Sequence, residues 1–180
     1  MMKEILLVID VQNGVVQNAW RRNEIVETIN QVVIKARSQN VPVVWVQHHD
    51  EYLIQGSKDW EIVDELRPLS GETIIQKEWG DAFADTDLLS EIQLLGAECL
   101  IIVGAQSDAC IRMTKYGALY RGYSVKLVGD AHTTESGSVG GTQFTAEWII
   151  AYENAVAMNS NIPNACCELV SSAEIWPSKA

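Results

Sequence analysis

A chain of 180 residues with 47% hydrophobic content is long enough to enclose one substantial core and too short to hold two comfortably, so a single domain over residues 1–180 is expected. Its formal net charge of -11 at pH 7 repels phosphate backbones and anionic headgroups, and no cluster of Lys and Arg interrupts the acidic background, which argues against nucleic acid and membrane as partners. The apolar run Ile5 to Ile9 is too short for an export signal, and no later stretch approaches the roughly 20 residues needed to cross a bilayer, so a soluble cytoplasmic protein acting on a small molecule is expected.

In chain order, short apolar runs rich in Val, Ile and Leu fall at Ile5–Ile9, Val43–Val46, Thr73–Ile75, Leu100–Val103 and Val125–Val128, with a weaker sixth near Glu168–Ser172. Hydrophobicity that is continuous rather than alternating is what strands buried on both faces require. Between these runs, Ile25, Val26, Ile29, Val32, Val33 and Ala36 keep one stripe at helical spacing, closed by Asn40 and the Val41-Pro42 break. Leu88, Leu89, Ile92 and Leu95 do the same and stop at Gly96. A third helix is expected from about Cys110 to Gly122 and a fourth over roughly Thr142–Met158, while Gln47–Leu69 is the longest irregular stretch. Strands alternating with helices predict an α/β domain: three layers around a mostly parallel, roughly six-stranded sheet.

Ligands in such sheets bind beyond the carboxyl ends of the strands. Those ends carry Asp10 after strand one, His48-His49-Asp50 after strand two, Lys77 after strand three, the segment Gly104–Cys110 after strand four, and Asp130 and His132 after strand five. Cys110 at the first turn of a helix gains from unpaired amides and the helix dipole, which favour a thiolate; Lys77 alongside would depress the thiol pKa further, and Asp10 could accept its proton. The other thiols, Cys99, Cys166 and Cys167, show no CxxC or zinc-finger spacing and read as reduced packing or surface residues. His48 and His49 are adjacent on an extended chain and point to opposite faces, a poor chelate with no well-spaced third ligand, so no metal is expected. His132 is a loop histidine that faces either the crevice or the interior.

Three ordered segments carry a resemblance that covers nearly the whole chain. Leu6–Gly14 around Asp10, Lys77–Phe83 with the following Asp85–Leu88, and Gly104–Cys110, together with Gly122–Val125 and Asp130-Ala131, resemble the motifs of the isochorismatase-like cysteine hydrolase superfamily. The resemblance implies a Rossmann-like sheet, a catalytic triad of Asp10, Lys77 and Cys110, no cofactor, and a homo-oligomer, dimer or tetramer. It also implies a cis peptide between Ala105 and Gln106 and an oxyanion hole from the amides of Ala109 and Cys110, with Gln106 contributing. Gln12, Trp79 and Phe83 lie within these motifs, near Asp10 and Lys77 in sequence, and are the expected substrate contacts, with ordinary core packing the alternative for Phe83. The implied reaction is hydrolysis of a small carboxamide or related C–N bond through a thioester. Vinyl-ether hydrolysis of the isochorismatase type and a metal-assisted nicotinamidase are the rivals on the same fold, and a catalytically idle binding scaffold is the rival outside enzymes. A haloacid-dehalogenase-like phosphatase would need a second acid two residues after Asp10, where this chain has Gln12.

Overall fold

The computed structural model describes residues 2–176. Strand β1 (Glu4–Ile9) leads through the single turn α1 (Asn13–Val16) into helix α2 (Arg22–Ser38) and strand β2 (Val43–His48). A long loop then reaches β3 (Thr73–Lys77), followed by α3 (Leu88–Leu94) and β4 (Cys99–Ala105). A π-helical turn over Ser107–Ile111 runs directly into α4 (Arg112–Tyr120), and β5 (Ser124–Thr133), β6 (Gly137–Val139), β7 (Thr142–Phe144), α5 (Ala146–Ala157) and β8 (Cys167–Val170) complete the described chain.

Six strands form one sheet in the order β3-β2-β1-β4-β5-β8, every pairing parallel. The chain winds outward from β1 in one direction and, after crossing to β4, in the other. The carboxyl ends of β1 and β4 therefore flank the point where the connections diverge, which is where such sheets open a crevice. Alternate residues of each strand serve opposite layers. Leu6 and Val8 of β1 pack in the cluster that holds Ile25, Ile29 and Val33 of α2, whereas Ile5, Leu7 and Ile9 pack with Leu88 and Ile92 of α3 and Ala118 and Leu119 of α4. Each fully buried aliphatic of this kind contributes about 1.5–3 kcal/mol over an exposed one, so β1, buried from Ile5 to Ile9, anchors both layers.

Three elements differ from the sequence expectation: β5 runs on to Thr133 and so takes in Asp130 and His132, and two helical segments differ as well. The helix expected from Thr142 begins only at Ala146, because Gly140 and Gly141 both have positive φ (56° and 81°) and make a two-residue turn that folds Thr142–Phe144 back on Gly137–Val139. Thr145 then caps α5, its side chain accepting from the Trp148 amide. The segment after Cys110 also differs: Cys110 lies inside the π-turn, not in the first turn of an α-helix.

Below the carboxyl edge, β4 crosses very close to β1. Gly104 pairs with Ile9 and has φ 125°, and a Cβ there would stand 2.0 Å from the Ile9 carbonyl oxygen. No backbone relaxation within the sheet can absorb that overlap, and the φ itself disfavours any L side chain. Gly104→Ala is therefore expected to lower stability by about 3 kcal/mol or more, read as a large drop in the urea midpoint. A variant with the wild-type midpoint would contradict this close approach.

Candidate active site

Asp10 leaves β1 in the left-handed region, φ 50°, a conformation that Asp tolerates better than most residues. That turn places its carboxylate under the sheet edge, 1% exposed, while its amide donates to Val46 of β2. Lys77 ends β3, opposite His48 of β2, and its side chain crosses beneath the end of β2. Its Nζ lies 2.7 Å from Asp10 Oδ2, 3.2 Å from Cys110 Sγ and 3.3 Å from His48 Nδ1. Three of the residues named at separate strand ends thus converge on one ammonium.

Burial is the largest influence on the ionisation of Asp10, Lys77 and Cys110. It raises the Asp10 pKa, against the pull of Lys77. It opposes the Lys77 charge, but Asp10 and Cys110 together more than offset it, so Lys77 stays a cation. Burial and then the Asp10 charge push the Cys110 thiol up to about 12, with Lys77 acting in the opposite sense. The expectation of a depressed thiol pKa is not met: Lys77 does favour the thiolate, but desolvation and the neighbouring Asp10 outweigh it. The Cys110 thiol therefore keeps its proton beside Asp10, a group that could accept it.

A cavity of about 340 Å³ opens onto this group, with Asp10, His48, Gln106, Ala109 and Cys110 on its inner side and Val15, Tyr52, Leu53, Asp50 and Asp59 toward solvent. The outer residues come from the turn after β1 and the loop after β2. Only the position of those loops at the carboxyl edge could have pointed to them, since Tyr52, Leu53 and Asp59 belong to no motif.

None of the three expected substrate contacts lines the cavity. Gln12 is fully buried; its amide donates to the carbonyls of His48 and Trp60 and its carbonyl accepts from the His48 amide. It staples the two ends of the loop that roofs the cavity. Phe83 is 6% exposed, packed in the core under the Arg121 guanidinium. Trp79 stands outside the cavity, 60% exposed, because the segment after Lys77 turns away across α4, where Met113 packs on Gly80.

The nucleophile segment is held from behind. The Ala105–Gln106 peptide is cis. Ser107 Oγ donates to His132 Nδ1 at 2.8 Å, and His132 Nε2 donates to Asn154 Oδ1 at 2.8 Å. Burial lowers the His132 pKa, so the ring is a neutral brace. His132 lies within β5, fully buried, and the side chain faces the nucleophile segment rather than the crevice. Of the two amides expected to hold an oxyanion, that of Ala109 already donates to the Gln106 carbonyl at 3.1 Å. The His49 amide donates to the Lys77 carbonyl and its ring lies 3.9 Å from Glu78, and no group of three His, Cys, Asp or Glu that could hold a metal ion occurs among the described residues. Cys99, Cys110, Cys166 and Cys167 are free, and no helix among the described residues is long and apolar enough to cross a membrane.

A parallel α/β sheet with Asp, Lys and Cys gathered at its switch point defines a class of small hydrolases. The isochorismatase domain model matches residues 4–157, and the chain belongs to the isochorismatase family. It is 30% identical over 134 residues to a secreted isochorismatase effector of Verticillium dahliae, covering 71% of this chain and 70% of that one. It is also 30% identical over 141 residues to a streptothricin hydrolase of Streptomyces noursei, covering 73% of this chain and 54% of the other. The crystal structure of an isochorismatase from Pseudomonas putida superposes with a TM-score of 0.86 at 28% identity, over 95% of this chain and 89% of that one.

The charges around Cys110 make a prediction of opposite signs for two measurements. Alkylation of Cys110 by iodoacetamide, followed by peptide mapping, should keep rising from neutral pH upward without a plateau, because the thiol ionises only near 12. Asp10→Asn removes a charge that holds the thiol pKa up, so Cys110 should alkylate faster in this variant while turnover is lost. A plateau at neutral pH in the wild type, or slower alkylation in Asp10→Asn, would contradict a thiol that keeps its proton beside Asp10.

Proposed function

We propose that this protein hydrolyses a small carboxamide or a related C–N bond through a thioester on Cys110, with Asp10, Lys77 and Cys110 as its catalytic triad. The observation that carries this reading is the Lys77 ammonium, 2.7 Å from Asp10 and 3.2 Å from Cys110 at the end of the cavity. Asp10 takes the thiol proton as sulfur attacks the carbonyl carbon, and the carbonyl electron pair moves onto oxygen. The tetrahedral adduct collapses, the C–N bond breaks, and the leaving nitrogen takes the proton from Asp10. Water then attacks the thioester, Asp10 accepts its proton, and the thiol departs with that proton as the acid is released. Lys77 keeps its charge throughout, stabilising sulfur whenever it is anionic and keeping Asp10 ionised before each proton is taken up.

The vinyl-ether reading is less well supported. It requires an acid to protonate the substrate but no nucleophilic thiol, and here the thiol lies on the cavity wall. Charge argues the same way: the lining includes Asp10, Asp50 and Asp59 and neither Lys nor Arg, which disfavours a substrate that carries carboxylates, as isochorismate does. A streptothricin hydrolase among the relatives supports hydrolysis as the reaction class. Free cysteines suit the reducing cytoplasm in which we place the activity.

Ammonia or amine release from a panel of neutral, cationic and carboxylate-bearing amides tests the proposal. Turnover is expected with neutral or cationic members, to disappear in Cys110→Ala, and to leave an acyl adduct on Cys110 in intact-protein mass spectra of quenched reactions. Cleavage of isochorismate by wild type and Cys110→Ala alike, with no amide turned over, would establish the vinyl-ether activity instead.

A further inference from the structure

The proposed triad does not use up the donors of its lysine. A charged Lys ammonium has three protons and no acceptor capacity. At Lys77 one is given to Cys110 Sγ at 3.2 Å and one meets His48 Nδ1 at 3.3 Å, while Asp10 Oδ2 stands 2.7 Å away as the ion-pair partner. Nδ1 must then be the bare nitrogen of that ring, and the proton of the neutral imidazole must sit on Nε2. There it meets Asp50 Oδ2 at 3.0 Å. Asp50 is in turn held by the amides of Tyr52 and Leu53, which donate to its Oδ1 at 2.8 and 2.7 Å. Those amide bonds, and the His48 contact, hold the Asp50 pKa below the usual carboxylate value, so the group facing Nε2 is an acceptor only.

We propose that His48 and Asp50 form a positioning pair for Lys77: Asp50 locks His48 in the Nε2–H tautomer, and His48 Nδ1 takes the ammonium proton that does not go to Cys110 or face Asp10. This rests on the triad reading for its catalytic consequence, but the tautomer and the lysine contact stand by themselves. The physical reason is the saturation of a buried cation. Lys77 is 1% exposed, so a proton without an acceptor would leave the ammonium under-solvated and free to rotate among too few partners. With His48 in place, the ammonium donates to the ring and to the sulfur together while its charge faces Asp10, and that orientation presents a proton to the sulfur. The groups that face the His48 ring are Lys77 from β3, Asp50 from its own loop and Asp10 from β1. A second proton on the ring would set two cations against each other at the Nδ1 contact. The pair also joins the chemistry to the cavity roof, because Tyr52 and Leu53, whose amides hold Asp50, line its outer part. The adjacent His48-His49-Asp50 cluster therefore has a use that needs no metal: one histidine turns inward to the lysine and the other turns out toward Glu78.

Three substitutions separate positioning from simple packing. In His48→Asn the amide oxygen overlies Nδ1 and can still accept from Lys77. In His48→Gln the side-chain amide overlies Nε2, reaches Asp50 and leaves Lys77 without its imidazole acceptor. In Asp50→Asn the Oδ1 bonds to the loop amides survive, but an NH₂ faces His48 and turns the ring to the Nδ1–H tautomer, against the ammonium. A hydrogen bond to a charged group being worth roughly ten- to hundredfold in an equilibrium or rate, kcat should fall by about that factor in His48→Gln and Asp50→Asn with KM little changed, and be largely retained in His48→Asn. Ring-nitrogen NMR, assigned with these variants, should show His48 as the Nε2–H tautomer in the wild type and reversed in Asp50→Asn. The slowly exchanging Lys77 ammonium signal, assigned with Lys77→Arg, should persist in His48→Asn and broaden in His48→Gln. A His48 ring that is cationic or Nδ1–H at neutral pH, or a His48→Gln variant with wild-type turnover and an unchanged ammonium signal, overturns the pair. If no amide substrate is found, the two NMR readouts still decide it, and only the triad reading fails.

Discussion

Asp10 and Lys77 form an ion pair that neither partner can leave. Both side chains are essentially removed from water, and a buried charge without its counter-charge costs several kcal/mol, so each residue makes the other's burial tolerable. The pair joins the ends of β1 and β3, which are not neighbours in the sheet, and it does so beneath β2. Lys77 must therefore approach from the side, and that approach leaves its ammonium aimed at the sulfur of Cys110 and the ring of His48. The arrangement of the site follows from where a buried cation can find acceptors.

The second constraint is backbone proximity. β4 can bring its nucleophile segment up to Asp10 only because Gly104 lets the chain pass against Ile9. Past that point the register between β4 and β5 shifts after Ile102, and Gly104 pairs with His132. The shift brings His132 behind Ser107, where burial keeps the ring neutral and able to accept one hydrogen bond and donate another. Thr134 adds a hydrogen bond to Asp108 at 2.6 Å. Cys110 is thus carried by a short π-turn braced on its far side.

The roof is built differently. Its attachment is through Gln12, which holds the His48 and Trp60 backbones from below, and through the Asp50 carboxylate, which gathers the amides of Tyr52 and Leu53. Between those ties the loop exposes Tyr52 and Asp59 at the cavity mouth.

Much of this was legible in the amino-acid sequence, and the reason is local. Strands buried on both faces write continuous apolar runs, so β1 to β5 and the stripe of α2 could be read directly, and reactive residue types at their carboxyl ends marked Asp10, Lys77 and Cys110 as candidates. What the sequence could not convey was decided by residues far apart in the chain. Gln12, next to the motif, looked like a substrate contact; it became a staple because backbone groups of His48 and Trp60 came within reach. Phe83 went to the core and Trp79 to solvent because the segment after Lys77 turned across α4. His132, read from a loop, was taken into β5 by a register shift that no local pattern records. The Cys110 thiol shows the same division: its position could be inferred from strand ends, but its ionisation depended on how much water the fold left beside it and on which charge stood nearer. Periodicity and residue type are properties of neighbours in sequence, whereas desolvation, hydrogen-bond partners and the sign of a pKa shift belong to neighbours in space, which only the folded chain brings together.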